Sequence, residues 1–334
     1  LGRNLFRARV PSYLYLATVL ALSCLVIYGY KYRDDSSPIL INASSIANYS
    51  GTVNQLYLND FELIKPLLFS EVKEEDPELA SLKLRLDSLL KIKIKKGEVT
   101  NASIYLKRMS ETRGITLNQV ETYNPGSMMK IPVMITYYRE AMNNNNILRK
   151  KIMFPGHNSD LYIEEGSVSG LVKGNSYSVD ELIKMMIIDS DNDAMGLLVN
   201  NISTEQLNKV FADLNIPIPS SPTDHFKLNP ELYSRFLQIL YNATYLDRYY
   251  SQQALSILTL TKYNQGFTRN ISEKFKIAHK YGISTTGEFR TLSEAGIFYT
   301  LQPYLFVIMT KGGEYSQLSN TISECSDLVY SEMK

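Results

Sequence analysis

Three short polar clusters in this chain hold residue types suited to nucleophilic attack on an acyl group. The first is Ser127-Met128-Met129-Lys130. Residues three apart share one face of a helix, so the lysine nitrogen reaches the serine oxygen. A serine hydroxyl is a poor nucleophile until a neighbour accepts its proton, and a lysine amine at that distance can accept it. A helix beginning at Ser127 adds free N–H groups and a partial positive charge where an oxyanion would form. The second cluster is Ser190-Asp191-Asn192 and the third is Lys280-Tyr281-Gly282. Singly, each has a plainer reading: a helix start with an exposed lysine, a polar turn between helices, and an edge strand with a charge and a glycine. Together and in this order they coincide by chance far less often than any one alone.

The flanking patterns indicate what must position them. Leu79, Leu82, Leu86, Leu89 and Leu90 recur at helical spacing. Asn101 to Met109 reads as a strand, Gly114 as a turn, and Ile115 to Val120 as a second strand. Pro125-Gly126 punctuates the chain before a helix around Ser127, which ends in the asparagines 143–146. Ser178 with Glu181 three residues later fits a capping box ahead of a stripe made by Leu182, Met185 and Met186. Pro230 to Tyr245 reads as another helix. Strands follow at Phe275 to Ile283, Thr291 to Thr300 and Tyr304 to Thr310, then a last helix from Tyr315 to Met333. Strands at both ends with helices between them predict an α/β domain: an antiparallel sheet flanked by helices, with an inserted helical subdomain over roughly 127–272.

The bulk numbers narrow the function classes. Lys plus Arg number 35 against 34 Asp plus Glu, a balance that gives no electrostatic case for nucleic acid. The chain has two cysteines, Cys24 and Cys325, and three histidines, His157, His225 and His279, in no metal-ligand spacing, so neither a disulfide framework, a zinc site nor any other cofactor is expected. Tyr13 to Tyr30 is an uncharged, mostly apolar run with tyrosines near its ends, preceded by Arg3, Arg7 and Arg9. About 20 apolar residues span a bilayer as a helix, so residues 12–30 are expected to cross the membrane once, with a cytoplasmic tail 1–11 and the remainder extracytoplasmic. A cleaved signal peptide and a lipoprotein signal at Cys24 are the competing readings; no clear small-residue cleavage site follows the run, and the sequence stays apolar after Cys24. Residues 31–75, with a stretch rich in Ser and Asn, read as a stalk, and 76–334 as the main domain.

Ser-x-x-Lys, then Ser-Asp-Asn, then Lys-Thr-Gly is the three-part signature of class A β-lactamases and penicillin-binding proteins. The chain resembles that family over roughly Pro77 to Lys334, including the text around each cluster: YNPGSMMKIPVM, VDELIKMMIIDSDND and FKIAHKYGIS. The resemblance implies a serine hydrolase with a β-lactamase or transpeptidase fold, acting on a small-molecule or peptide substrate of the cell envelope. It implies that Ser127 becomes acylated, that Lys130 accepts or relays its proton, and that Ser190 passes a proton to the leaving nitrogen. Asn192 would bind the substrate amide and help fix Lys130. Lys280 would supply positive charge beside Ser190 and the substrate carboxylate. Tyr281 and Gly282 complete the third motif, and the N–H groups of Ser127 and Ile283 would form the oxyanion hole.

Two departures qualify this expectation. Tyr281 stands where the family usually carries Thr or Ser, whose small hydroxyl helps hold a substrate carboxylate; Arg290 is a candidate substitute cation. Class A enzymes also place a glutamate beyond Ser-Asp-Asn to activate the water that deacylates the enzyme. Leu207 to Pro230 contains no glutamate, and its acids are Asp213 and Asp224, of which Asp224 is the better placed. Slow β-lactam turnover is expected. The other class of function is a non-catalytic envelope module that keeps the fold, since fold alone does not establish activity.

Overall fold

The computed structural model describes residues 53–60, 63–72, 74–156, 169–219, 226–271, 275–286 and 289–334. Among them no helix is long and apolar enough to cross a membrane; the run at 12–30 lies outside the described residues.

The chain enters the described part through a hairpin, β1 (Val53–Tyr57) and β2 (Leu67–Val72), paired antiparallel with a register shift between Leu56 and Tyr57. These residues fall in the stretch read from sequence as a stalk, yet they pack into the domain. Leu68 is fully buried, and its carbonyl accepts from Thr244 Oγ1 at 2.8 Å. The carboxyl of Glu71 accepts from Tyr105 at 3.0 Å and from Gln238 at 2.7 Å. Asp60, between the strands, meets Arg139 at 3.0 Å and Lys209 at 2.8 Å. A buried leucine side chain contributes about 1.5–3 kcal/mol, enough to seat a short hairpin that its mixed polar sequence did not advertise.

Helix α1 (Ala80–Lys95) precedes β3 (Asn101–Arg108) and β4 (Gly114–Leu117). A short antiparallel pair follows, β5 (Lys151–Met153) with β6 (Ser176–Ser178), and the sheet is completed at the far end of the chain by β7 (Ile277–Thr286), β8 (Phe289–Phe298) and β9 (Tyr304–Gly312). All five strands run antiparallel in the order β4-β3-β9-β8-β7, which makes β7 an edge. Strand β4 stops earlier than its sequence suggests. Asn118 adopts a left-handed φ of 53° and donates to the Ala102 carbonyl at 3.2 Å, which ends the pairing.

Successive side chains of a strand face opposite ways, so the sheet has two cores. Tyr304, Phe306 and Ile308 of β9 face Leu82, Leu86 and Leu90 of α1 and Leu318, Ile322 and Val329 of the last helix (Tyr315–Met333). Cys325 lies in this core, where burial pushes its thiol up to about 12. Leu305, Val307 and Met309 face the helical layer. That layer holds α2 (Lys130–Asn143), α3 (Val179–Ile188), α4 (Asn192–Val199), α5 (Thr204–Asp213), α6 (Pro230–Tyr241) and α7 (Arg248–Leu258). They lie within the span expected for the helical insertion. The expected capping box of α3 is present, with Glu181 N donating to Ser178 Oγ and Ser178 N to Glu181 Oε2. Helix α5 begins on a second one, Ser203 with Gln206.

Candidate active site

The first cluster sits on a tight entrance to α2. Gly126 to Met129 forms a 3-10 turn, so the α-helix proper begins at Lys130 and not at Ser127. Gly126 has a left-handed φ of 51°, and a β-carbon there would lie 2.1 Å from the Ile283 carbonyl oxygen. Across the contact, a β-carbon on Gly282 would lie 2.0 Å from the Pro125 oxygen and 2.8 Å from Met128 N. The two glycines thus let the free edge of β7 lie backbone to backbone against the turn that carries Ser127. Tyr233 from α6 props the same turn, donating to the Met128 carbonyl at 2.7 Å.

Between α3 and α4, Ser190 adopts a left-handed φ of 57°, rare for a residue with a side chain. The flanking geometry holds it there. Asp191 is almost fully buried and caps α4 by accepting from Ala194 N at 2.9 Å; its other oxygen accepts from Ser169 Oγ and Gly170 N, each at 3.0 Å. The turn aims both Ser190 oxygens at one nitrogen. Lys130 Nζ lies 2.6 Å from the Ser190 carbonyl oxygen, 3.1 Å from Ser190 Oγ, 2.9 Å from Ser127 Oγ and 2.6 Å from Asn192 Oδ1. Lys280 reaches the same hydroxyl from β7, with Nζ 3.0 Å from Ser190 Oγ and 3.1 Å from its neighbour's carbonyl at Tyr281. Both lysines are fully buried, and Ser127 and Ser190 are 8% and 6% exposed. A chain of contacts, Ser127–Lys130–Ser190–Lys280, therefore runs through one buried cluster. It brings together two hydroxyls and two lysine nitrogens, the groups that acyl transfer through a serine would need.

Tyr281 follows a different logic. Its ring stacks on Tyr263 with centroids 3.9 Å apart and planes 16° apart, and Lys280 Nζ lies 4.2 Å from the Tyr281 centroid. Tyr263, which no local pattern singled out, lies in the segment after α7. Burial, and then the nearby Glu294, push its phenol well above the ordinary tyrosine range. Behind this strand His279 Nδ1 lies 2.7 Å from Glu294 Oε1, and Glu294 Oε2 accepts from Phe267 N at 2.9 Å. Both side chains are buried, and neither was marked by sequence spacing.

The three candidate substitutes, Arg290, Asp213 and Asp224, fare differently. Arg290 pairs with Thr285, four steps along β7 from Tyr281, and is turned to the Gly313 carbonyl, to Glu314 at 3.6 Å and over the Tyr315 ring. It is not beside Lys280, because strand register carries it to the far end of the hairpin. Asp213 meets Arg139 at 2.6 Å, Lys209 at 3.0 Å and Tyr245 OH at 2.7 Å, an ion network that fixes α5 to α2. Asp224 lies outside the described residues. Among the described residues no group of three or more His, Cys, Asp or Glu gathers to hold a metal ion.

Comparison with known proteins places this geometry. No curated protein matches the chain. Solved structures similar in fold include a β-lactamase from Chitinophaga pinensis (14% identity, TM-score 0.66, covering 76% of this chain and 100% of that one). Another is a β-lactamase from Sphaerobacter thermophilus (17%, 0.64, 76% and 97%). A third is a PBP-A variant solved as its acyl-enzyme complex with penicillin G (18%, 0.65, 77% and 98%). At these identities the likeness is one of fold. The model of the β-lactamase enzyme family matches residues 83–333, which takes in all three polar clusters. That match covers most of the sequence, and by it the chain belongs to the β-lactamase enzyme family.

Proposed function

We propose that this protein is a serine hydrolase that works through an acyl-enzyme on Ser127, with an amide or peptide of the cell envelope as substrate. The observation that carries the reading is the Lys130 nitrogen, within 2.9 Å of Ser127 Oγ and 3.1 Å of Ser190 Oγ at once. As Ser127 Oγ bonds to the carbonyl carbon, its proton passes to Lys130. The tetrahedral oxyanion faces the N–H groups of Ser127 and Ile283. Collapse breaks the carbon–nitrogen bond, and the leaving nitrogen takes a proton through Ser190. Lys280 stabilises the negative charge near Ser190. Preorganised donors of this kind are worth about 10²–10³ in rate each.

Deacylation is the slow half. Leu207 to Pro230 offers no glutamate, and the Asp213 carboxyl is committed to Arg139, Lys209 and Tyr245. We read the acyl-enzyme as long-lived, with Asp224, outside the described residues, as the remaining candidate base. The run at 12–30 is read as a single membrane crossing that holds the domain outside the cell, supported by its apolar composition and basic flank. Retention in alkali-washed membranes, with the domain open to external protease, tests that placement.

The chemical test is labelling with a fluorophosphonate and a fluorescent penicillin, followed by intact mass. An adduct on Ser127, absent in Ser127→Ala, supports the enzyme. Absence of any adduct with either reagent overturns it and favours a non-catalytic module. That second reading draws on one observation, the Tyr281 ring lying against Lys280. A chromogenic cephalosporin should turn over far below the ~10 per second of an ordinary enzyme.

A further inference from the structure

The turn that carries Ser127 lacks a hydrogen-bond donor by its own sequence. Met128 and Met129 separate Ser127 from Lys130, so the orientation of the Met128 peptide sets how the hydroxyl meets the lysine nitrogen. In an α-helix the Met128 carbonyl would accept from the N–H of residue 132. Residue 132 is Pro, which has no N–H to give. The regular helix accordingly starts beyond Met128, at Lys130. Residues 126–129 close instead as a 3-10 turn, in which the Lys130 N–H is shared between the Met128 and Ser127 carbonyls. Met128 has no exposed surface, so its carbonyl needs a partner from within the protein.

That partner comes from another element. Tyr233 of α6 donates its hydroxyl hydrogen to the Met128 carbonyl at 2.7 Å. The side chain is fully buried, and its ring meets Phe236 with centroids 5.5 Å apart and planes 67° apart, which holds the hydroxyl in place. Burial also pushes the phenol well above the ordinary tyrosine range and so keeps it a donor. The start of α6 is tied twice to the segment that enters the Ser127 turn from the other side. Tyr123 and Leu228 exchange backbone hydrogen bonds at 2.9 Å each. Asn229 caps α6 by accepting from Leu232 N at 2.8 Å, and its Nδ2 donates to the Gln119 carbonyl at 3.0 Å.

We infer that Tyr233 is a positioning residue for acyl transfer: its hydroxyl replaces the N–H that Pro132 lacks and so holds Ser127 in register with Lys130. It acts through the Met128 peptide and not on the reacting atoms. The inference rests on the Ser127 acyl-enzyme reading and adds a residue to that same site.

The test is a double-mutant cycle on the full chain, read as the rate of fluorophosphonate labelling of Ser127 by intact mass. Tyr233→Phe keeps the ring and removes the hydrogen bond. Pro132→Ala puts a backbone N–H where the helix can offer it to the Met128 carbonyl. Tyr233→Phe alone should slow labelling by about tenfold, the rate equivalent of one lost hydrogen bond. The loss should lie in the rate at saturating reagent and not in the half-saturating concentration. In the Pro132→Ala background the same change should cost less than about twofold, because the new donor takes over. Melting is followed for all four proteins, since lost packing would lower Tm alike in both backgrounds. A native labelling rate in Tyr233→Phe, an equal loss in both backgrounds, or unfolding of Tyr233→Phe that Pro132→Ala does not repair overturns the positioning role alone. So does a loss in Pro132→Ala as large as that in Tyr233→Phe, which would make the proline itself the residue that sets the turn. Failure of fluorophosphonate to label Ser127 in the native protein overturns the acyl-enzyme reading and the positioning role with it.

Discussion

Two fully buried lysines approach the same hydroxyl, Ser190 Oγ, and their surroundings differ in kind. Lys130 is ringed by oxygen: two hydroxyls, a carbonyl and an amide oxygen within 3.1 Å. In the proposed mechanism it takes the Ser127 proton as the neutral amine, whose lone pair meets one hydroxyl while its two hydrogens go to other oxygens. Lys280 meets one hydroxyl, one carbonyl and a ring face. It reaches Ser190 from the edge strand β7 and carries the positive charge in the proposed mechanism. Under the acyl-enzyme reading, the contrast separates a wall that moves protons from a wall that holds substrate.

The largest expected effect breaks the first wall. Lys130→Met keeps the length of the side chain and removes the proton acceptor; acylation of Ser127 should fall by about 10³ or more, near the upper part of the range for general-base catalysis. Stopped-flow labelling reads this directly, and a loss below tenfold would remove Lys130 from the mechanism. The second wall should be softer. Lys280→Met should slow acylation by about 10²–10³, with the loss smaller for a neutral probe than for a penicillin. Equal losses for the two probes would mean that Lys280 also moves protons.

Backbone spacing holds the two walls together. Gly126→Ala puts a β-carbon 2.1 Å from the Ile283 oxygen at a left-handed residue. Urea unfolding should show a loss of about 2–4 kcal/mol, combining overpacking with the left-handed penalty. A loss below ~0.5 kcal/mol would show that the turn yields easily.

The smallest effect concerns the far end of the Lys130 helix, where Asp60 meets Lys209 and Arg139. The hydrogen bond from Lys209 holds the Asp60 carboxyl below the ordinary aspartate range. A lowered folded-state pKa contributes stability that is complete above the unfolded value and is lost as pH falls through the folded one. Asp60→Asn should therefore cost up to about 1 kcal/mol near neutral pH, roughly 2–4 °C in Tm. The gap should close as pH falls below the ordinary aspartate range, through the lowered folded-state pKa. A gap that widened in acid would reverse the assignment.

Much of the site was legible because its chemistry is local in sequence. Ser127 and Lys130 are three residues apart on one helical face, and Ser190 and Asn192 share a single turn. The last three strands and the final helix showed in plain apolar patterning. What stayed hidden depends on contacts across the chain. Tyr263 gains its place only by stacking on Tyr281, and His279 finds Glu294 only through strand pairing. The hairpin at 53–72 reads as polar linker because single residues, Leu68 and Glu71, carry its docking. Ser203 and Gln206 spell the capping box of α5, a local signal that the sequence itself carries.

Ser190 carries a last consequence. Holding a serine in the left-handed region costs about 1–2 kcal/mol that glycine would not incur. Ser190→Gly is then a change that relaxes the backbone while it deletes the oxygen both ammonium groups approach. The relief is set against two hydrogen bonds lost by buried lysines, so under the acyl-enzyme reading a screen of this fold that scores melting without turnover would pass inactive molecules at this one codon.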